Sequence, residues 1–157
     1  MIFKKCSVIG LGYIGLPTAA ILANSGYEVI GVDINEKIVS NLNKGLIHIV
    51  EPDLNKIFLK ALKEGNFIAR TKPVESDVFI VTVPTPFNKK SNCLPEANLN
   101  YVNNAIASIC DVVKEGDLIL LESTSPIGTT KSISSLIYQI SNLNNSEVNI
   151  AYCTERV

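Results

Sequence analysis

Three glycines constrain the start of this chain more tightly than any other feature. In SVIGLGYIGLPTAA, residues 7–20, an apolar run enters Gly10, Gly12 and Gly15 and leaves into small helix-forming residues. Each glycine has its own task in a strand-to-helix turn. Gly10 lets the chain leave the strand sharply, Gly12 lets backbone N–H groups approach a pyrophosphate, and Gly15 lets the helix lie close to the sheet. The helix N-terminus then offers free N–H groups and partial positive charge to the phosphates. The spacing alone is weak, because a glycine-rich turn with no ligand has the same pattern. Its context is stronger: a strand precedes, a helix follows, and a second strand ends in an acid, Asp33. A carboxylate there accepts hydrogen bonds from the adenosine ribose and repels a 2′-phosphate, which predicts NAD rather than NADP. No Lys-Ser/Thr pair follows the glycines, which excludes a phosphate loop of the NTPase kind. A SAM-binding domain uses a similar turn and acid and stays open.

The remaining chain alternates between two patterns. Apolar runs at 6–10, 28–33, 66–71, 77–83, 117–123 and 148–153 read as strands, most of them continuously apolar, as strands covered on both faces are. Segments 13–25, 35–44, 52–64, 99–113 and 129–140 read as helices. Pro52 is expected at the first helical position of its segment, with Glu51 and Asp53 as helix-start charges. Gly26 and Gly65 are expected as helix stops. Right-handed crossovers then predict an α/β fold: a doubly wound, mostly parallel sheet of the Rossmann type with helices on both faces. The stretch PFNKKSNCLPEAN, 86–98, is expected to be a polar loop tip.

Composition narrows the function classes. A net charge of −1 without a long basic run gives no footing for nucleic acid. No apolar run reaches the roughly 18 residues of a membrane span. The cysteines, Cys6, Cys93, Cys110 and Cys153, form no C-x-x-C pair, so no metal site is expected. Reduced thiols in a cytoplasmic protein are the natural reading. Cys6 and Cys110 are expected in the core. Cys93 in a polar loop and Cys153 near a strand end have no neighbouring histidine to activate them. The single histidine, His48, is assigned a local hydrogen-bonding role rather than acid–base work.

In an open parallel sheet, ligands lie outside the carboxyl ends of the strands. Two such ends, VPTPF (83–87) and ESTSPIGTT (122–130), carry hydroxyls and prolines. Thr85 can reach a ribose or phosphate, and Thr124 can hydrogen-bond near a nicotinamide. One of Thr129 and Thr130 caps the helix that follows, leaving the other to face ligand. Tyr13 either covers the pyrophosphate or packs on its helix. Glu122 either contacts ligand or bonds to loop N–H groups.

Taken together, VIGLGYIGLPTA, GVDIN, HIVEPDL, VPTPF, ESTSPIGTT and YCTERV resemble the UDP-glucose/GDP-mannose dehydrogenase family over essentially the whole chain. HIVEPDL and YCTERV favour its mannosamine branch over the UDP-glucose one. The resemblance implies oxidation of a UDP-sugar C6 alcohol to a carboxylate in two NAD-linked steps. It implies NAD contacts at Tyr13, Ile14, Asp33, Thr85 and Thr130. It implies Thr124 and Glu155 near the reacting sugar and water, and Arg156 and Val157 on the substrate. One position departs from the pattern: the residue before that glutamate is Thr154, where the family usually has proline, which loosens the loop. The family's nucleophilic cysteine, lysine and asparagine have no counterpart among these residues. Residues 1–157 are therefore expected to be the dinucleotide-binding domain of a longer, homo-oligomeric enzyme whose central and C-terminal substrate domains lie elsewhere. This domain alone is expected to bind cofactor without turnover. A stand-alone nucleotide-binding or sensing module is the alternative.

Overall fold

The computed structural model describes residues 3–88, 96–141, 143 and 147–154. The six long strands are β1 (Lys5–Ile9), β2 (Glu28–Val32), β3 (Phe67–Arg70), β4 (Val78–Val81), β7 (Leu118–Leu121) and β8 (Asn149–Tyr152). Two short strands, β5 (Phe87–Asn88) and β6 (Glu96–Ala97), pair with each other. The helices are α1 (Gly15–Asn24), α2 (Glu36–Asn43), α3 (Leu54–Lys63), α4 (Asn100–Ile109) and α5 (Thr129–Ser141). Every expected strand and helix is present. The sheet runs β3-β2-β1-β4-β7-β8, and each neighbouring pair is parallel. The order reverses between β1 and β4, the place where a crevice opens in such sheets.

The continuous apolar runs follow from the layering. Successive strand residues point to opposite faces, and here both faces are covered. Val8, Val29, Val78 and Ile80 join Leu16, Ala20, Phe58 and Ala61 in one core, beneath α1 and α3. Ile9, Ile30, Phe79 and Val81 join Val102, Ile106, Ile133 and Ile137 in the other, beneath α4 and α5. Cys6 lies in the first core and Cys110 in the second, and both are buried. Burial pushes the Cys6 thiol up to about 11 and raises that of Cys110.

The start of α3 differs from expectation. Pro52 is not the first helical residue. Leu54 N–H bonds to the Glu51 carbonyl at 3.3 Å, closing a turn with Pro52 and Asp53 at its centre. Asp53 takes a left-handed backbone, φ 59°, and makes no side-chain cap hydrogen bond. Proline second and positive φ third is the pattern of a type II turn, which excludes a helical start at Pro52. A second correction concerns 86–98. Its two ends form the β5–β6 ribbon, Phe87 opposite Ala97 and Asn88 opposite Glu96, closed by Asn98 N–H to the Pro86 carbonyl at 2.7 Å. Backbone pairing, which polarity does not reveal, organises the base of that loop. Lys89, Lys90 and Cys93 lie outside the described residues.

Gly15 is the tightest point. A Cβ there would sit 1.8 Å from the Gly10 carbonyl oxygen and 2.4 Å from Thr82 Oγ1. Gly15→Ala is expected to cost about 3 kcal/mol, the upper end for overpacking. Thermal unfolding should show a Tm lower by roughly 6–12 °C for a chain of this size. Alkylation of the native chain near pH 8 should spare Cys6 and Cys110 and modify the exposed Cys153. Peptide mass spectrometry should find the two buried thiols labelled only after denaturation.

Candidate dinucleotide site

The turn between β1 and α1 is held from two sides. On one side, Gly10 N–H bonds to the Val32 carbonyl at 2.8 Å, carrying the β1–β2 pairing into the turn. The Asp33 carboxylate then accepts Leu11 N–H on Oδ2 at 3.1 Å and Asn35 N–H on Oδ1 at 2.9 Å. On the other side, Thr82 Oγ1 lies 3.0 Å from the Ile9 carbonyl and 2.7 Å from that of Gly10, and its single proton is shared between them. Gly10 itself has φ +95°, a backbone that side-chain-bearing residues rarely adopt.

Two clefts open along the carboxyl edge of the sheet. One, about 730 Å³, has Gly10 and Asp33 on one wall, Thr71 and Lys72 after β3, and Tyr101 and Ser108 of α4 opposite. The other, about 670 Å³, is lined by Gly12, Tyr13, Ile14, Thr85, Glu122 and Thr124. Val83 and Pro84 line both, so the two clefts adjoin at the β1–β4 switch point. Thr85 Oγ1 donates to the Thr124 carbonyl at 2.7 Å, tying the loop after β4 to the loop after β7.

A bound dinucleotide fits this arrangement. A Cβ on Gly12 would meet nothing within 4 Å, so the middle of the turn faces open space. No side chain caps the start of α1, and the first N–H groups of a helix have no partner within it. The pyrophosphate would lie there, with the adenosine ribose beside Asp33 and the nicotinamide toward Thr124.

Eight residues singled out in the sequence thus line the two clefts: Gly10 and Asp33 in one, Gly12, Tyr13, Ile14, Thr85, Glu122 and Thr124 in the other. Gly15 lies behind the turn and packs. Tyr13 is 70% exposed, so it does not pack on α1. Thr129 is buried and is the first residue of α5, but its Oγ1 donates to the Pro126 carbonyl at 2.8 Å instead of accepting a helix N–H, so it does not act as the expected cap. Thr130 is half-buried in the first turn of α5 and lines neither cleft. His48 is exposed between α2 and α3, also away from both clefts. Glu155, Arg156 and Val157 lie outside the described residues.

Sequence reading missed the supports. Thr82 gave only the signal of a hydroxyl at a strand end. Ser123 is buried and donates to the Val83 carbonyl at 2.6 Å. Tyr152 accepts Ser125 N–H on its hydroxyl at 3.1 Å, bracing the β7–α5 loop from β8.

Fold and crevice together define a Rossmann-type dinucleotide-binding domain. The profile of the UDP-glucose/GDP-mannose dehydrogenase family, NAD binding domain, matches residues 4–157, and the chain belongs to that family as its NAD-binding domain. UDP-N-acetyl-D-mannosamine dehydrogenase of Campylobacter jejuni is 48% identical over 99% of this chain and 39% of that protein. NDP-N-acetyl-D-galactosaminuronic acid dehydrogenase of Ralstonia nicotianae is 44% identical over 99% of this chain and 38% of its own length. The solved UDP-N-acetyl-mannosamine dehydrogenase Cap5O from Staphylococcus aureus superposes with a TM-score of 0.91 at 35% identity, covering 98% of this chain and 37% of that one. The chain thus spans less than two-fifths of the relatives it matches.

Thr82→Val keeps the shape and removes the hydroxyl that reaches two carbonyls of the turn. Thr82 is half-buried, and the substitution is expected to destabilise the fold by about 0.5–1.5 kcal/mol, the net worth of an ordinary hydrogen bond. The glycine turn should loosen with it: amide hydrogen exchange at Leu11 and Gly12 should quicken more than exchange in α4.

Proposed function

We propose that this domain carries the cofactor of a nucleotide-sugar 6-dehydrogenase, with UDP-N-acetyl-D-mannosamine as the sugar nucleotide. The observation that carries this reading is the pair of adjoining clefts, one with Asp33 and the other with Thr124, in a chain that aligns with sugar-nucleotide dehydrogenases over nearly all its length. Conversion of a primary alcohol to a carboxylate removes four electrons and adds one oxygen from water. NAD supplies the hydride acceptor, one molecule for each two-electron step.

The residues of this chain bind and orient. Asp33 accepts from the adenosine ribose through the lone pairs left over from its two backbone contacts. The start of α1 and Gly12 hold the pyrophosphate. Thr85 and Thr124, joined across their loops, set the wall at the reacting end, and Tyr13 and Ile14 cover the middle. Thr130, in the first turn of α5, lines neither cleft and is given no contact with the cofactor. Glu155 orients the attacking water, and Arg156 with Val157 contacts the sugar nucleotide.

The second oxidation needs a covalent carbonyl adduct or a hydrate from which the second hydride can leave. Cys6 and Cys110 are buried on the two faces of the sheet and cannot serve, and neither the exposed Cys153 nor Cys93 stands in the family's nucleophile motif. The nucleophile, together with the substrate domains, is therefore assigned to chain outside residues 1–157. The full-length protein is taken as a homo-oligomer of the cytoplasm, where buried free thiols such as Cys6 and Cys110 stay reduced.

Titration calorimetry on the folded domain should show saturable NAD binding below millimolar concentration. A folded sample without heat at millimolar NAD would refute cofactor carriage. Asp33→Arg should weaken NAD by about tenfold or more, because it removes both the ribose acceptor and the Leu11 contact, each worth about one charge-assisted hydrogen bond. The domain alone should not oxidise UDP-N-acetyl-D-mannosamine, whereas the full-length protein should, with two NADH formed per sugar.

A further inference from the structure

Asp33 alone would make the choice between NAD and NADP a matter of one carboxylate. The cleft it lines holds a second charge of opposite sign. β3 runs parallel beside β2 with Val32 opposite Arg70, and Asp33 N–H bonds to the Arg70 carbonyl at 3.1 Å. The residues that follow β3 therefore emerge level with Asp33, and Thr71 and Lys72 line the same cleft. Lys72 is exposed and forms no ion pair among the described residues. It is the sole cation among the residues lining this cleft, which also include the acids Asp33 and Asp111.

The Asp33 carboxylate is not available in full to a ribose. Each of its oxygens already takes one backbone N–H, Leu11 on one side and Asn35 on the other. Those bonds fix the carboxylate in the wall of the cleft and leave each oxygen one further lone pair. A 2′-phosphate arriving there meets a fixed negative charge. It also arrives beside an ammonium on a flexible stem, a good point-charge partner for phosphate.

We propose that Lys72 is a latent anchor for an adenosine 2′-phosphate, kept out of use by the Asp33 carboxylate. Cofactor choice is then a balance between one acid after β2 and one lysine after β3. The inference rests on the reading of the crevice as a dinucleotide site, and it assigns Lys72 a role in which cofactor is accepted.

The test is calorimetric titration of NAD and NADP, in competition where binding is weak, into the wild-type domain and the variants Asp33→Asn, Asp33→Asn/Lys72→Ala and Lys72→Glu. Asp33→Asn keeps an oxygen for one of the two backbone contacts, and Lys72 is exposed, so both substitutions are compatible with folding. Asp33→Asn should lower the NAD-to-NADP affinity ratio by about tenfold or more, the effect of a single new ion pair between the ammonium and the phosphate. Adding Lys72→Ala should restore most of the ratio. Lys72→Glu, which leaves the Asp33 contacts intact, should widen the preference for NAD. An Asp33→Asn/Lys72→Ala ratio equal to that of Asp33→Asn, or a Lys72→Glu ratio equal to wild type, overturns the inference while NAD binding stands. A wild-type domain that binds no NAD overturns the dinucleotide reading and this inference together.

Discussion

The bond from Leu11 N–H to the Asp33 carboxylate joins the two halves of the cofactor cradle. Leu11 sits between the first two glycines, and Asp33 closes the neighbouring strand. A residue that sequence logic assigns to the ligand is thus also a structural member of the turn. Thr82 does the same work from β4, through the carbonyls of Ile9 and Gly10. With donors used on one side and acceptors on the other, the turn has little freedom left. The open face at Gly12 and the uncapped start of α1 are then held ready rather than assembled on binding.

The same economy extends along the crevice. Loops that carry ligand-facing residues are usually the mobile part of a fold. Here the loop after β4 is tied to the loop after β7 by Thr85 and Thr124, and the latter is braced by Ser123 and Tyr152. The reacting end of the crevice is therefore fixed by hydroxyl groups that make ordinary hydrogen bonds to backbone. None of these groups needs an unusual charge or a metal to hold its place.

The architecture was legible because burial on both faces leaves a plain trace. Residues such as Val8 and Ile9 are both apolar, since one faces α1 and the other faces α4 and α5. Helix stops at Gly26 and Gly65 were legible too, and both glycines have the positive φ that such stops require. The start of α3 was not, because proline suits a turn as well as a first helical residue. The positive φ that decides between them falls on Asp53, a residue type that only sometimes adopts it. Thr82, Ser123 and Tyr152 escaped for another reason. Their partners are backbone carbonyls and amides distant in sequence, and pattern reading within one segment cannot pair them. The glycine spacing and Asp33 could be read because they are consecutive steps of one local motif.

The two cores divide the chain by order of synthesis. Helices α1, α2 and α3, all before residue 64, cover one face, and α4 and α5, after residue 99, cover the other. A nascent chain that has reached β3 can bury Val8 and Val29 at once. Ile9, Ile30 and Val32 wait, unsheltered, until a good part of the remaining sequence has left the ribosome. For that interval the growing polypeptide presents one greasy sheet face to its surroundings, the kind of surface chaperones hold. Mutations that slow the docking of α4 would lengthen this exposure without touching a residue of the cradle.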